Sequence, residues 1–394
     1  MPEMNAAQLN ALARAAIKAR AIKMTQPIFT NNFVPANTPT ITVNPRNVGL
    51  LKGFWVKVVH TVLNGSAVQI DLTDFGPANA LSMVQFNDLN GNTRINTPGW
   101  HIHFVNSEKA RRPFGSAFVR TTGFDSPVDY GSQYINQISA PATIAAAGTG
   151  TVVMWYWVPL AYSDDDLRGA VYANVVNATM QLNLSFPGSN GVSVAVAAAT
   201  DSTLAMYVGN VAGSVALVAI TNTLVTVYQC YMDQLPTDPK LGVLLPIIDL
   251  ATIYELKQTV QTGAVANQDF PYQYANFRDF LSTTAVYVNT GATGARGNGA
   301  DINHWMLQSA NFTNIWKKEP GLIALETRNY LGCDMPTGVY YFGSREKPIS
   351  TTQYGNMQLI LNPITAGAGA YELVAVEDFA LVQTLSMAGS LASN

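Results

Sequence analysis

Histidine is the scarcest acid–base residue in this chain, with four copies, and two of them, His101 and His103, stand two apart in WHIHF. Read as a strand, that spacing turns both imidazoles to one face, an arrangement zinc sites use. A third ligand would have to come from His60, His304 or a distant carboxylate. The expectation is therefore two strand histidines at a surface or subunit contact and no metal. The run Asp164, Asp165, Asp166 offers calcium-type oxygens but lacks the glycine-centred loop of an EF-hand. With Ser163 in front and Asp166 at capping-box spacing, it reads instead as the start of a short helix in YSDDDLRGAVYANV.

No nucleophile elbow, no HExxH and no P-loop occurs. The glycine-rich GATGARGNGA, Gly291 to Ala300, has no Lys-Ser/Thr ending and reads as a loop tip. Trp155 and Trp157 in VVMWYWVPL read as core and interface, not as a sugar platform. Cys230 and Cys333 are too few for a disulfide framework and read as buried free thiols, which points to an intracellular origin. Asn64, Asn177, Asn183 and Asn311 fit the glycosylation pattern, which carries little weight in that setting. No cofactor is expected.

These residues are set in an unusual background. The chain is 48% hydrophobic and 12% charged, about half the charge of an average soluble protein at ~25%. That excludes a charge-extended disordered chain and argues against a free monomer, so much of the surface should be covered by further copies. A net charge of −3 offers no strong grip on nucleic acid. No apolar run follows the basic N-terminal residues as a signal peptide would require. The uncharged stretch Ser202 to Met232 is long enough for a membrane span, but its glycines, asparagines and threonines read as strands and turns.

Ala6 to Met24 is rich in Ala, Leu, Lys and Arg and predicts a helix stopped by Pro27. Arg14 and Lys18 share a face that Arg20 and Lys23 do not join, so the helix should dock rather than stand alone. Thr30 to Pro45 reads as an extended arm. Beyond it, NVGLLKGFWVKVVHTVLNG, MQLNLSF, VYQCYMDQL and MQLILNP read as strands. In MQLNLSF, Met180, Leu182, Leu184 and Phe186 face one way; in VYQCYMDQL, Tyr228, Cys230 and Met232 oppose Gln229 and Asp233. NFRDFLSTT is read as a further helix. Long, low-charge connections such as SAPATIAAAGTGT, GVSVAVAAATDS and NTGATGARGNGAD suggest functional or interfacial loops. Many short strands with few helices predict an all-β sandwich or barrel.

A boundary is expected at LPTDPKLGVLLP, residues 235–246. IIDLATIYELKQTVQTG after it repeats the rhythm of GLLKGFWVKVVHTVLNG before it, and both units close on a similar last strand. This suggests a duplicated β-domain. The expected division is a helix and arm over 1–40, a first unit over 41–238, a second over 239–386, and a tail over 387–394.

Four strings resemble the major capsid protein of tectiviruses, icosahedral bacteriophages with a membrane inside the shell. They are NVGLLKGFWVKV after a Pro-rich arm, TPGWHI, DDDLRGAVYANV, and TGVYYFGSREKPISTTQYGNMQLILNP. The resemblance runs along essentially the whole chain. It implies a double jelly roll, two eight-stranded barrels in one chain with long tower loops, an architecture shared with the adenovirus hexon. It further implies homotrimers of pseudo-hexagonal outline that tile the shell, meet minor capsid proteins, and are assembled in the host bacterial cytoplasm without catalysis. Arg14, Lys18, Arg20 and Lys23 would then face the internal membrane or an adjacent capsomer. The alternative, from another class, is a viral spike or a carbohydrate- or receptor-binding β-sandwich, which would need its aromatic residues gathered in one exposed groove.

Overall fold

The computed structural model describes residues 6–73, 75–109, 140–175, 178–187, 206–209, 218–236, 252–289, 295–297, 299–310, 314–332, 334–336, 338–364 and 371–380. The boundary segment 237–251, the stretch GVSVAVAAATDS, Asn177, Asn311, Cys333 and the tail 387–394 lie outside those residues.

Among the described residues, four sheets form. The first outer sheet orders Ile22–Phe33, Val218–Asp233, Leu50–Asn64 and Thr149–Pro159, all antiparallel. The middle sheet begins with Thr40–Val43, Gln181–Ser185, Met83–Asn87 and Thr93–Thr97. It then steps in parallel, Leu256 beside Ile95 and Lys257 beside Asn96, onto Ile253–Thr262, Tyr371–Ala380, Arg278–Asn289 and Ala295–Arg296. The second outer sheet orders Phe270–Gln273, Met357–Pro363, Ile302–Ser309 and Trp316–Lys318. A small sheet joins Tyr207–Gly209, Ile70–Leu72 and Thr143–Ile144. In each half the first long strand pairs antiparallel with the last: Leu50–Asn64 with Val218–Asp233, and Ile253–Thr262 with Tyr371–Ala380.

Period-two patterning builds two cores on opposite faces of the middle sheet. Val286 and Ala375 belong to the large core with Val56, Val58 and Val225 of the first outer sheet. Their neighbours Ala285 and Val374 belong to the second core with Leu307, Leu359 and Leu361 of the second outer sheet. Met180, Leu182, Leu184 and Phe186 are buried as the alternation of MQLNLSF requires.

Several local expectations are corrected. Helix α1 spans Ala6–Arg20 and not to Met24; residues from Ile22 onward run as a strand straight through Pro27 to Phe33. The strand is at the sheet edge and shifts register between Pro27 and Phe29, which is where a ladder tolerates a missing N–H. Part of the expected arm is thus paired, as is Thr40–Val43. WHIHF is not a strand: helix α2 spans Gly99–Lys109. Trp100, His101, Ile102, His103, Phe104 and Val105 are all buried, and a helix enclosed on every side needs no amphipathic stripe to announce it. YSDDDLRG holds no helix; Ser163 Oγ does accept the Asp165 and Asp166 N–H groups, but Asp166 then turns its carboxylate onto Arg168. NFRDFLSTT is strand within Arg278–Asn289, where β-branched Thr283, Thr284, Val286 and Val288 fit the pleat. In VYQCYMDQL the phase slips at a bulge between Cys230 and Tyr231. Gln229 is buried there, exchanging hydrogen bonds of 2.8 and 2.9 Å with the Arg46 backbone. Within the glycine-rich segment, Ala295–Arg296 is paired strand and Arg296 is buried, so that part is not a loop tip. Helix α3, Pro320–Leu331, was not anticipated.

The halves touch closely at Gly169, whose φ of +86° suits glycine. A Cβ there would meet the Leu160 carbonyl oxygen and the Tyr254 side chain. Gly169→Ala should cost about 1–3 kcal/mol through overpacking and strain, read as a lowered urea midpoint of the intact chain with an unchanged denaturant slope.

Candidate functional site

Where α2 meets the second half, four charges are buried together. Glu108 and Lys109 end α2; Glu377 lies on the strand Tyr371–Ala380; Arg345 follows the strand Val339–Gly343. Arg345 bridges both carboxylates: its Nε meets Glu108, and its Nη1 donates to Glu377 Oε1 at 2.7 Å. Lys109 Nζ stands 3.2 Å from Glu377 and donates to the Tyr254 hydroxyl at 2.8 Å. Tyr254 and Ser282 donate to Glu377, and Tyr341 donates to Glu108 at 2.9 Å. Lys109 also sits over the Tyr162 and Tyr254 rings.

Burial alone would raise the Glu377 carboxyl, but Lys109 and Arg345 outweigh it and hold it down at about 2. Burial, aided by Arg345, pulls the Lys109 ammonium below its ordinary range despite Glu377. Two acids and two bases cancel, and every carboxylate oxygen of the pair finds a partner. The cluster ties the last turn of α2 to three segments of the second half, at Tyr254, Arg345 and Glu377.

The sequence-derived site residues are dispersed. Arg14 and Lys18 fall within α1, Arg20 is its exposed last residue, and Lys23 is on the following strand, 3.0 Å from Asp164. Asp164 also meets Lys52, so its carboxylate serves two lysines rather than a calcium ion. Helix α1 docks through Ile17, buried against Leu50, Ala161, Leu167, Ala170 and Met232. On α2, residues two apart point about 200° from each other, so His101 and His103 share no face. His101 Nδ1 pairs with Thr97 Oγ1 at 2.7 Å, and His60 lies between Thr223 Oγ1 and the Ala80 carbonyl. Among the described residues no group of three metal-ligating side chains forms, and no helix is long and apolar enough to cross a membrane. The Val218–Met232 part of the candidate span is strand.

Sequence reasoning missed Glu108, Lys109, Arg345 and Glu377. A signal existed: in a chain with so few charges, Glu377 interrupts the apolar strand YELVAVEDFA. Aromatic residues do gather outside: Trp55, Trp155, Trp157 and Tyr228 share the outer face of the first outer sheet.

Solved structures share this arrangement. The STIV MCP superposes with a TM-score of 0.61 at 9% identity, covering 95% of this chain and all of that one. The whole-virus structure of Sulfolobus Turreted Icosahedral Virus gives 0.62 at 11% identity, with 93% of each chain covered. Two β-sandwiches joined through a middle sheet define a double jelly-roll fold. Residues 14–235 match the family described as P3 major capsid protein N-terminal, and residues 251–393 its C-terminal counterpart. Major capsid protein P3 of Enterobacteria phage PRD1 is 42% identical over 385 residues, covering 98% of this chain and 94% of that protein. The chain belongs to the P3 major capsid protein family; its role is structural, in the virion shell.

Arg345→Met would leave buried Glu108 without its cation and Glu377 with Lys109 alone, and the loss should reach about 3–5 kcal/mol, measured by urea unfolding. A second expectation concerns protons. Burial holds His60, His101 and His103 down at about 4, so each is neutral when folded and takes up a proton only on unfolding. Their contribution is complete above the unfolded-state pKa and is lost as pH falls toward 4. Burial pushes the Glu372 and Asp378 carboxyls well above their ordinary range, which acts in the opposite sense, so the test is made residue by residue. His101→Gln should gain on the parent chain by roughly 1.6 kcal/mol in all as pH is lowered from 6.5 to 5, in paired urea titrations.

Proposed function

We propose that this chain is the homotrimeric, pseudo-hexagonal capsomer of an icosahedral phage shell enclosing a membrane, assembled in the host bacterial cytoplasm with minor capsid proteins. The observation that carries this reading is the 42% identity to a major capsid protein along 98% of the chain. The fold supports it: two barrels per chain give three copies six similar wedges, suited to near-sixfold packing. On this reading the chain divides into an arm over 1–40, jelly rolls over 41–238 and 239–386, and a tail over 387–394.

Helix α1 lies at the base and faces the membrane or a neighbouring capsomer. Ile17 ties its end to its own barrel, while Leu12 is 56% exposed. Lys23 pairs with Asp164; Arg20 is exposed, and with the sequence-derived Arg14 and Lys18 it is assigned to an anionic leaflet at about 1 kcal/mol each. One chain would hold weakly; many copies on a facet hold by multivalency.

Light scattering on purified protein should return three times the 42.4 kDa chain mass, unchanged on dilution; a monomer at micromolar concentration overturns the reading. Deleting residues 1–20 should leave trimers that fold and melt at slightly lower temperature, but do not close membrane-containing particles. Complete particles from the truncated chain would remove α1 from assembly.

A further inference from the structure

Between helix α3 and the strands Trp316–Lys318 and Val339–Gly343, the second half holds a cavity of about 180 Å³. It runs inward from the surface. Glu326 and Tyr330 of α3 are exposed at its rim. Tyr274, Phe280, Leu307 and Met357 line its floor, each at most 5% exposed.

The walls are rings. Trp316 and Phe342 stack at 5.1 Å between centres, with 22° between their planes. Tyr330 and Tyr341 stack at 6.0 Å, also at 22°. Tyr274 meets Phe280 at 4.4 Å. Such walls present both faces and edges, and a further aromatic ring packs on either with more than its area alone would give.

The polar groups along the cavity are already engaged. Tyr274 and Thr283 share a hydrogen bond of 2.9 Å. Thr327 donates to the Tyr341 carbonyl at 3.4 Å, and Ser344 to the Phe280 carbonyl at 2.7 Å. At the rim, Lys318 donates to Glu326 at 2.6 Å and lies 5.1 Å from the centre of the Trp316 ring. A water held in a cavity needs roughly two to four polar partners, and a polar ligand needs partners for each of its own groups. Walls whose polar groups are spent on each other favour a molecule that asks for none. An apolar cavity of about 150 Å³ takes up benzene in another protein, so this one suits a single ring or two fused rings.

We infer that this cavity binds a small neutral aromatic molecule, of a size between benzene and indole, against the Trp316–Phe342 and Tyr330–Tyr341 pairs. Its occupancy reaches the seam. The Tyr330 and Tyr341 hydroxyls both donate to Glu108, the carboxylate at the end of α2 that Arg345 answers. A ring lodged beside these tyrosines holds them in place, and so stabilises the junction of the halves together with the second core. All of these residues belong to one chain, so the inference stands apart from the trimeric reading.

The test uses the full chain as purified, titrated with benzene, indole and cyclohexane by calorimetry and followed by thermal melting. Benzene and indole should bind saturably at one site per chain and raise the melting temperature; cyclohexane should bind more weakly. Thr327→Phe turns a ring of the protein's own into the cavity from α3, and its melting curve establishes that it is folded. It should weaken benzene binding about tenfold or more, through loss of the buried contact. Absence of saturable binding to the parent, undiminished binding to folded Thr327→Phe, or cyclohexane held as tightly as benzene would each overturn the inference. If Thr327→Phe does not fold, crystals of the parent soaked in iodobenzene decide. Anomalous scattering should place iodine between α3 and the strand Trp316–Lys318. Iodine found only elsewhere, such as the larger hollow beside Trp55 and Trp157, would overturn it.

Discussion

Glu377 is a carboxylate with no water to fall back on, and the joining of the two halves turns on how it is satisfied. Its strand belongs to the second half, yet one of its cations, Lys109, comes from the helix of the first. Arg345 answers it from the same half and reaches across to Glu108. A buried ion group of this kind adds little net stability compared with apolar packing, but it tolerates only one geometry. Sliding or tilting either half would strip a charge of its partner. The parallel junction at Ile95 and Leu256 supplies continuity of hydrogen bonding, and the charges supply the angle.

Around that fixed angle the chain uses apolar surface freely. Its two cores lie back to back across shared strands, so a residue and its neighbour serve different interiors, as Ala285 and Val286 do. Little is left to face water except sheet surfaces that carry few charges.

Much of the architecture was legible in the sequence because it follows from period-two alternation. MQLNLSF and MQLILNP have their apolar residues buried as read, and the similar opening and closing strands of the two units do pair within each half. Legibility failed where burial overrode pattern. WHIHF looks like a strand because its residues are bulky and apolar, but a helix buried on all sides has the same composition. DDD looks like a helix start because acids favour that position, and here they answer Lys52 and Arg168 instead. NFRDFLSTT bends at Phe277, whose φ is +57°, before its strand begins at Arg278, and no Gly or Pro marks that bend, so local composition misled. The seam was illegible for another reason: Glu108 and Arg345 are far apart in sequence, and nothing local marks either as a partner.

That separation has a consequence for the timing of synthesis. Arg345 follows Glu108 by 237 residues, and a ribosome adding ~5–20 residues per second needs roughly 12–50 s to cover that distance. Throughout that interval α2 ends in a carboxylate and an ammonium whose oppositely charged partners, Arg345 and Glu377, do not yet exist, and both must stay hydrated. The first barrel therefore emerges with one flank kept open by water. It can dry and set only when the last strands arrive, so a nascent half-chain does not present a finished wedge for premature assembly.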